Sequence, residues 1–337
     1  MDLSYAYANA RIKGMKSNLL GENVFRELMQ VKTMDEITAL LEQTPYKQDL
    51  VEASKQYRGV HRIDVALHKN LARTVATVGR ILPVAGRKLF SMLNAEWDAQ
   101  NLKFILSKKS LGEGIQASDM PDSMKGSFYE KLLKTKSPQE AAGFIASKWG
   151  SREFKRRLKK LLASQGGKDG IFRIAIQEIE RERVKELVLL SQSADALTRK
   201  IVEQQLAVES TMAVLRLKKE GVKEIEKFVL YKSPFVNSLL EAGEFEECLK
   251  RTASEFGLGQ ETLAKARTSM PVLEIALERK AVEKTLRLTR LGVLSFATAV
   301  GFVFLKNVEV SNLRKIAYAN AFGLKQELGE YIFAINA

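Results

Sequence analysis

Residues 171–220 read IFRIAIQEIERERVKELVLLSQSADALTRKIVEQQLAVESTMAVLRLKKE, fifty positions without a glycine or a proline. Apolar residues recur through them at three- and four-residue spacing, the period of an amphipathic helix. As one helix the stretch would run about 75 Å at 1.5 Å per residue, longer than a compact domain accommodates. A break is therefore expected near Ser191, Ser193 and Asp195, where small and capping residues cluster. The remainder of the chain follows the same period. Its prolines, Pro45, Pro83, Pro121, Pro138, Pro234 and Pro271, fall at apparent element boundaries, and the last three stand where a first helical turn begins. No segment reads as a strand. The predicted fold class is all-α.

Outward from that stretch, a unit recurs. Thr33-Met-Asp-Glu36 has counterparts in Ser137-Pro-Gln-Glu140 and Ser233-Pro-Phe-Val236, and the first two have the form of capping boxes. Seven residues after each cap stands an apolar residue: Leu40, Phe144 and Leu240. An aromatic follows twelve or thirteen residues after it (Tyr46, Trp149, Phe245), and Phe25, Tyr129 and Ile225 lie eight before. Gly21 and Gly221 each precede their caps by 12 residues, whereas Gly112 precedes Ser137 by 25, so the middle copy carries an insertion, residues 113–125. A further copy opens at Asn312 and ends at Gly323, eleven residues on, as from Asn101 to Gly112. The expected organisation is three similar helical repeats over 1–90, 91–195 and 196–300, with closing helices over 301–337. Each unit is a long helix, several short ones, then another long helix.

Composition removes several classes of function. The single cysteine, Cys248, excludes an internal disulfide, points to a reducing compartment, and reads as a buried thiol in an amphipathic helix. The opening MDLSYAYANARIKGMK has no apolar h-region, so no secretory signal is expected. The longest uncharged run, Leu291 to Leu305, is 15 residues, short of the roughly 20 that span a bilayer, and contains Gly292 and Gly301. A buried helical hairpin is the expectation there. Neither Gly14-Met-Lys-Ser17 nor Gly166-Gly-Lys-Asp-Gly170 has the spacing of a phosphate loop. His61 and His68 lie two helical turns apart, too far to share one ion, and read as surface residues. The run 178–186 alternates in sign and reads as a solvated helix face. No catalytic residue, cofactor, metal site or small-molecule substrate is expected.

The charge does ask for a partner. Lys plus Arg number 54 against 40 Asp plus Glu, a net +14. Between Lys55 and Ala95 eight basic residues face one acid, Asp64. On a helical wheel Val60, Ile63, Leu67, Leu71, Val75, Val78 and Leu82 share one side, and Arg58, Arg62, Lys69, Arg73 and Arg80 share the other. With Arg87 these bases read either as a solvated basic face or as a candidate interface for an acidic protein or for anionic lipid, where each charge contributes roughly 1 kcal/mol near a membrane. A second cluster, REFKRRLKK over residues 152–160, holds six bases. A basic helical-repeat protein that binds nucleic acid is the alternative, but the stripe has no interleaved aromatics and no recognised binding module.

Four stretches, YAYANARIKGMKSNLL (5–20), FRELMQVKTMDEITALLEQTPY (25–46), EWDAQNLKFILSKKSLG (96–112) and VSNLRKIAYANAFG (310–323), together touch both ends and the middle of the chain. As a set they resemble the C-subunit family of A/V-type ATP synthases, a relative of the d-subunit of the vacuolar proton pump. The third copy departs from the pattern, with Ser210-Thr-Met where the family has Asn-apolar-Lys. The resemblance implies a funnel of three similar helical domains with pseudo-threefold symmetry. It also implies a non-catalytic rotor component of a proton- or sodium-translocating complex, peripheral to the cytoplasmic face of the cell membrane. Its partners would be the proteolipid ring below and the central-stalk subunits above, with torque passed between them for ATP synthesis and no nucleic acid involved.

Overall fold

The computed structural model describes residues 3–112, 127–164, 168–324 and 332. The expected insertion, 113–125, lies outside the described residues, as does most of the chain after 324. Sixteen α-helices and no strand occur among the described residues. They run α1 (Ala6–Lys16), α2 (Glu22–Gln30), α3 (Met34–Leu41), α4 (Lys47–Ala53) and α5 (Gly59–Ile81). Then come α6 (Val84–Ser110), α7 (Ser127–Leu133), α8 (Pro138–Lys148), α9 (Arg152–Ser164) and α10 (Lys168–Ser193). The last six are α11 (Ala196–Lys219), α12 (Pro234–Glu241), α13 (Phe245–Phe256), α14 (Gln260–Thr268), α15 (Met270–Leu291) and α16 (Ala297–Ala321). The fold is all-α.

Local chemistry sets these boundaries. The glycine- and proline-free stretch breaks where capping residues cluster: α10 stops at Ser193, and the Asp195 carboxylate accepts from the N–H groups of Leu197 and Thr198, both at 3.0 Å. All three repeated caps form. Thr33 makes a full capping box with Glu36. The Ser137 hydroxyl accepts from Glu140 N at 3.1 Å, and the Glu140 carboxylate accepts from Lys136 N, one residue before the cap. Ser233 accepts from Val236 N at 3.1 Å, with no carboxylate to answer. Such caps are worth about 1 kcal/mol each. At the other end, α11 and α16 close on Gly221 and Gly323, both at positive φ, with Val222 N reaching Leu217 O and Leu324 N reaching Ala319 O. This is the Schellman pattern, which places the glycine in the left-handed region.

Two compact units emerge, residues 84–193 and the rest. Within the 84–193 unit, α6 and α10 pair along their lengths and, with α7–α9, bury Leu102, Ile105, Leu132, Ile145, Phe154 and Ile179. The other unit has two main cores. In one, α11 and α15 enclose Val214, Leu215, Leu239, Leu249, Leu273 and Leu277. In the other, α5 pairs with α16, so Phe25, Leu41, Tyr46 and Leu67 pack with Leu313 and Ile316 from the far end of the sequence. The repeated positions fall into these cores register by register, except Ile225, which is half-buried in a short 3-10 turn. The uncharged run forms a helical hairpin at Gly292. A Cβ at Gly301 would lie 2.1 Å from Thr289 Cγ2, so glycine permits α16 to approach α15. Among the described residues no helix is long and apolar enough to cross a membrane.

Candidate functional site

The basic stripe on α5 is built from residues that the wheel placed opposite the core. Its apolar side is buried as expected: Ile63, Leu67, Val78 and Leu82 are almost fully covered. The polar side is not uniformly open, because α4 and the end of α3 pack along α5 and present acids to it. The Arg62 guanidinium donates to Glu42 Oε1 and to Leu50 O, the former at 2.5 Å and the latter at 3.1 Å. Lys69 donates to Glu52 Oε1 at 3.1 Å. Arg73 donates to Asp49 Oδ2 at 2.7 Å and to Gln48 Oε1 at 2.6 Å. Asp49 is itself buried and also accepts from Asn70 Nδ2 at 2.8 Å. Three of the six candidate residues are thus compensated inside the fold. Arg58 and Arg80 are exposed, bonded to backbone carbonyls and to the Thr77 hydroxyl respectively. Arg87 is exposed on α6, in the other unit.

The second basic cluster, on α9, behaves differently. Phe154 and Leu158 are buried, and Arg157 turns inward to the carboxylate of buried Glu178. Arg152, Arg156, Lys159 and Lys160 are exposed, and none makes an ion pair among the described residues.

Several charges that pattern reading missed are buried. The Glu309 carboxylate, fully covered on α16, accepts from Tyr46 Oη at 2.7 Å, from Lys306 Nζ at 2.6 Å and from Leu20 N. Lys306 Nζ also donates to Tyr46 Oη at 2.9 Å and lies 4.2 Å from the centre of its ring. Burial, then the Glu309 charge, raises the Tyr46 pKa well above the phenol range. The 84–193 unit holds an equivalent: Asp98 accepts from Tyr129 Oη at 2.6 Å and from Trp149 Nε1 at 3.3 Å. Spacing could have found this pair, since Asp98 and Glu309 each lie three residues before the asparagine of a repeat copy.

Two sequence expectations are corrected. The run 178–186 is not a solvated face: Glu178, Glu182 and Arg183 are buried, because α10 is flanked by α6, α8 and α9. Arg183 pairs with Glu96 and Glu180, and Lys103 also reaches Glu180, at 2.6 Å. His68 is not a surface residue either. It is largely buried beside Arg314, which donates to its Nε2 and pairs with Asp64. Burial and the Arg314 charge lower its pKa to about 4. His61 is exposed. Cys248 is buried, donates to Leu239 O at 3.3 Å and has its pKa raised by burial, as an inert thiol would. Among the described residues no group of three His, Cys, Asp or Glu could hold a metal ion.

The described residues are thus built on three long-helix pairs, each with its own core. The family model for the ATP synthase (C/AC39) subunit matches residues 8–330, and the chain belongs to that family. It is a non-catalytic part of a rotary ATPase. It is 28% identical to the A-type ATP synthase C-subunit of Thermococcus onnurineus, covering 96% of this chain and 88% of that protein. The C-subunits of the A-type ATP synthases of Thermococcus kodakarensis (28%, covering 96% and 88%) and Methanococcoides burtonii (26%, covering 96% and 92%) are similar over the same span.

Proposed function

We propose that the chain is the central-rotor component linking a membrane proteolipid ring to the central stalk of an A-type proton- or sodium-translocating ATP synthase. In this reading it passes torque between them during ATP synthesis, as a peripheral protein on the cytoplasmic face of the membrane. The observation that carries it is the family match across nearly the whole chain. The architecture supports it, because a torque coupler must be stiff, and each core is braced by a pair of long helices of 22 to 27 residues. We further propose that the repeats 1–90, 91–195 and 196–300, closed by 301–337, form a pseudo-threefold funnel. Support comes from the three caps at matching registers and from α16 completing the first core. Arg58, Arg80 and Arg87 are the proposed contacts with partner or lipid, while Arg62, Lys69 and Arg73 hold α5 to the α3–α4 segment.

Affinity purification from native membranes tests the assignment: proteolipid and central-stalk subunits should be recovered with the chain. Reconstituted complexes depleted of it should lose coupling between ion flow and ATP turnover. Full coupling without it would overturn the rotor role.

A further inference from the structure

A cavity of roughly 170 Å³ lies where the end of α1, the end of α15 and the start of α16 meet. Its apolar surface comes from Ile12, Phe302 and Leu305, and three cations, Lys13, Lys16 and Arg290, line it. None of the three is ion-paired among the described residues. Helix α1 contains no acidic residue at all, and the nearest buried carboxylate on α16, Glu309, is committed to Tyr46, Lys306 and Leu20 N. Burial, then Arg290 and Lys13, lowers the Lys16 pKa. Two helix C-termini, of α1 and α15, and one N-terminus, of α16, meet here, so the helix dipoles do not favour an anion and its attraction rests on the side-chain charges.

We propose that this pocket binds a phosphoryl oxyanion carried on a partly apolar molecule. Three cations with no counter-ion form a site that an anion stabilises by relieving their mutual repulsion. A carboxylate brings one negative charge, whereas a phosphate monoester brings close to two and three acceptor oxygens for the Lys and Arg donors. Thr289 and Thr298 also line the cavity, but their hydroxyl protons are committed to Leu286 O and Gly292 O. They therefore offer acceptors only, suited to hydroxyl groups next to the phosphate. Ile12, Phe302 and Leu305 cover the apolar remainder. The site needs no partner protein, so its test is independent of the rotor reading.

The ligand can come from a lipid headgroup or from a soluble phosphate compound, and two measurements on the full chain separate them. One titrates inorganic pyrophosphate by calorimetry. The other measures co-sedimentation with vesicles of about 30 mol% phosphatidic acid, a lipid phosphate monoester, in phosphatidylcholine, against phosphatidylcholine alone. Binding in the vesicle arm alone assigns the lipid source, and binding of pyrophosphate assigns the soluble one. In the arm that binds, Lys13→Gln with Lys16→Gln should weaken affinity at least about tenfold. Lys13→Arg with Lys16→Arg should preserve it, as should the α9 pair Lys159→Gln with Lys160→Gln, neither of which lines the cavity, and thermal melts should match throughout. The proposal fails if neither arm binds the unmodified chain. It also fails if the α9 variant loses as much affinity as the pocket variant, since diffuse positive charge would then explain the binding.

Discussion

Helices α5 and α9 are both basic and amphipathic, yet they use their charge in opposite ways. On α5 the central cations are turned against Glu42, Asp49 and Glu52, so they join the helix to its neighbour. On α9 one arginine, Arg157, is spent on buried Glu178, and the exposed bases meet solvent. The polarity of the internal pair is also reversed. Around α5 the buried acid sits on the short helix and the base on the long one, while around α9 the acid sits on long α10. A wheel projection cannot separate the two cases. What separates them is whether a packed neighbour brings carboxylates to the polar side.

The contrast between charge held inside and charge presented outside is greatest on α16. Replacing Glu309 with Ala would strand Lys306 in the core and free Tyr46 Oη and Leu20 N. Breaking a buried pair of this kind costs about 3–5 kcal/mol. Urea denaturation should show the midpoint falling accordingly, and a loss under about 1 kcal/mol would mean that water replaces the carboxylate. Next in size is Asp49→Ala, which leaves Arg73 and Asn70 without their shared acceptor. Because Arg73 can swing into water, about 2–3 kcal/mol is expected in the same urea measurement.

A pH titration probes the α5 side of the comparison at His68. The folded pKa of about 4 lies below the ordinary 6.5, so between those values the unfolded chain binds a proton that the folded chain does not. Stability from this group is complete above pH 6.5 and falls as pH drops through the window. Acidification from about pH 7 to 5 should cost about 2 kcal/mol through His68 alone. His68→Gln should flatten that part of the profile. An unchanged slope in the variant would assign the acid sensitivity elsewhere.

The helices, their caps and the three matching registers are legible in the sequence, because each rests on local chemistry: a hydroxyl, a glycine or an apolar period. The buried charges are not, because beside near neighbours such as Lys306 for Glu309 and Glu180 for Arg183 they depend on partners 21 to 289 positions away. Even so, a trace of them is present. Glu309, from the closing helix, pairs with the polar-tipped Tyr46 of the first copy, and Asp98 pairs with Trp149 within the middle copy. The third copy has Ala207 and Phe245 at those positions, neither of which needs a hydrogen-bonding partner. Acid and polar aromatic come and go together. That coupling is visible once the repeats are aligned on Thr33, Ser137 and Ser233, whereas helical periodicity taken alone conceals it. The fate of the α5 stripe has no such trace, since Glu42, Asp49 and Glu52 are ordinary surface types for short helices.

The smallest expected effect is the most direct check on α9. Arg156→Gln, Lys159→Gln and Lys160→Gln together remove three charges that contact no carboxylate among the described residues, so stability should change by no more than about 0.5 kcal/mol. The same variant should leave a cation-exchange column at clearly lower salt, because exposed charges without a carboxylate in contact act on the matrix with little internal compensation. Arg62→Gln, Lys69→Gln and Arg73→Gln remove the same formal charge from α5. That variant should lose stability and shift its elution less, since the acids it uncovers remain local. If both triple variants shift elution equally and neither loses stability, Glu42, Asp49 and Glu52 do not hold the α5 cations in solution. The two helices would then present charge alike, and the difference drawn between them would disappear.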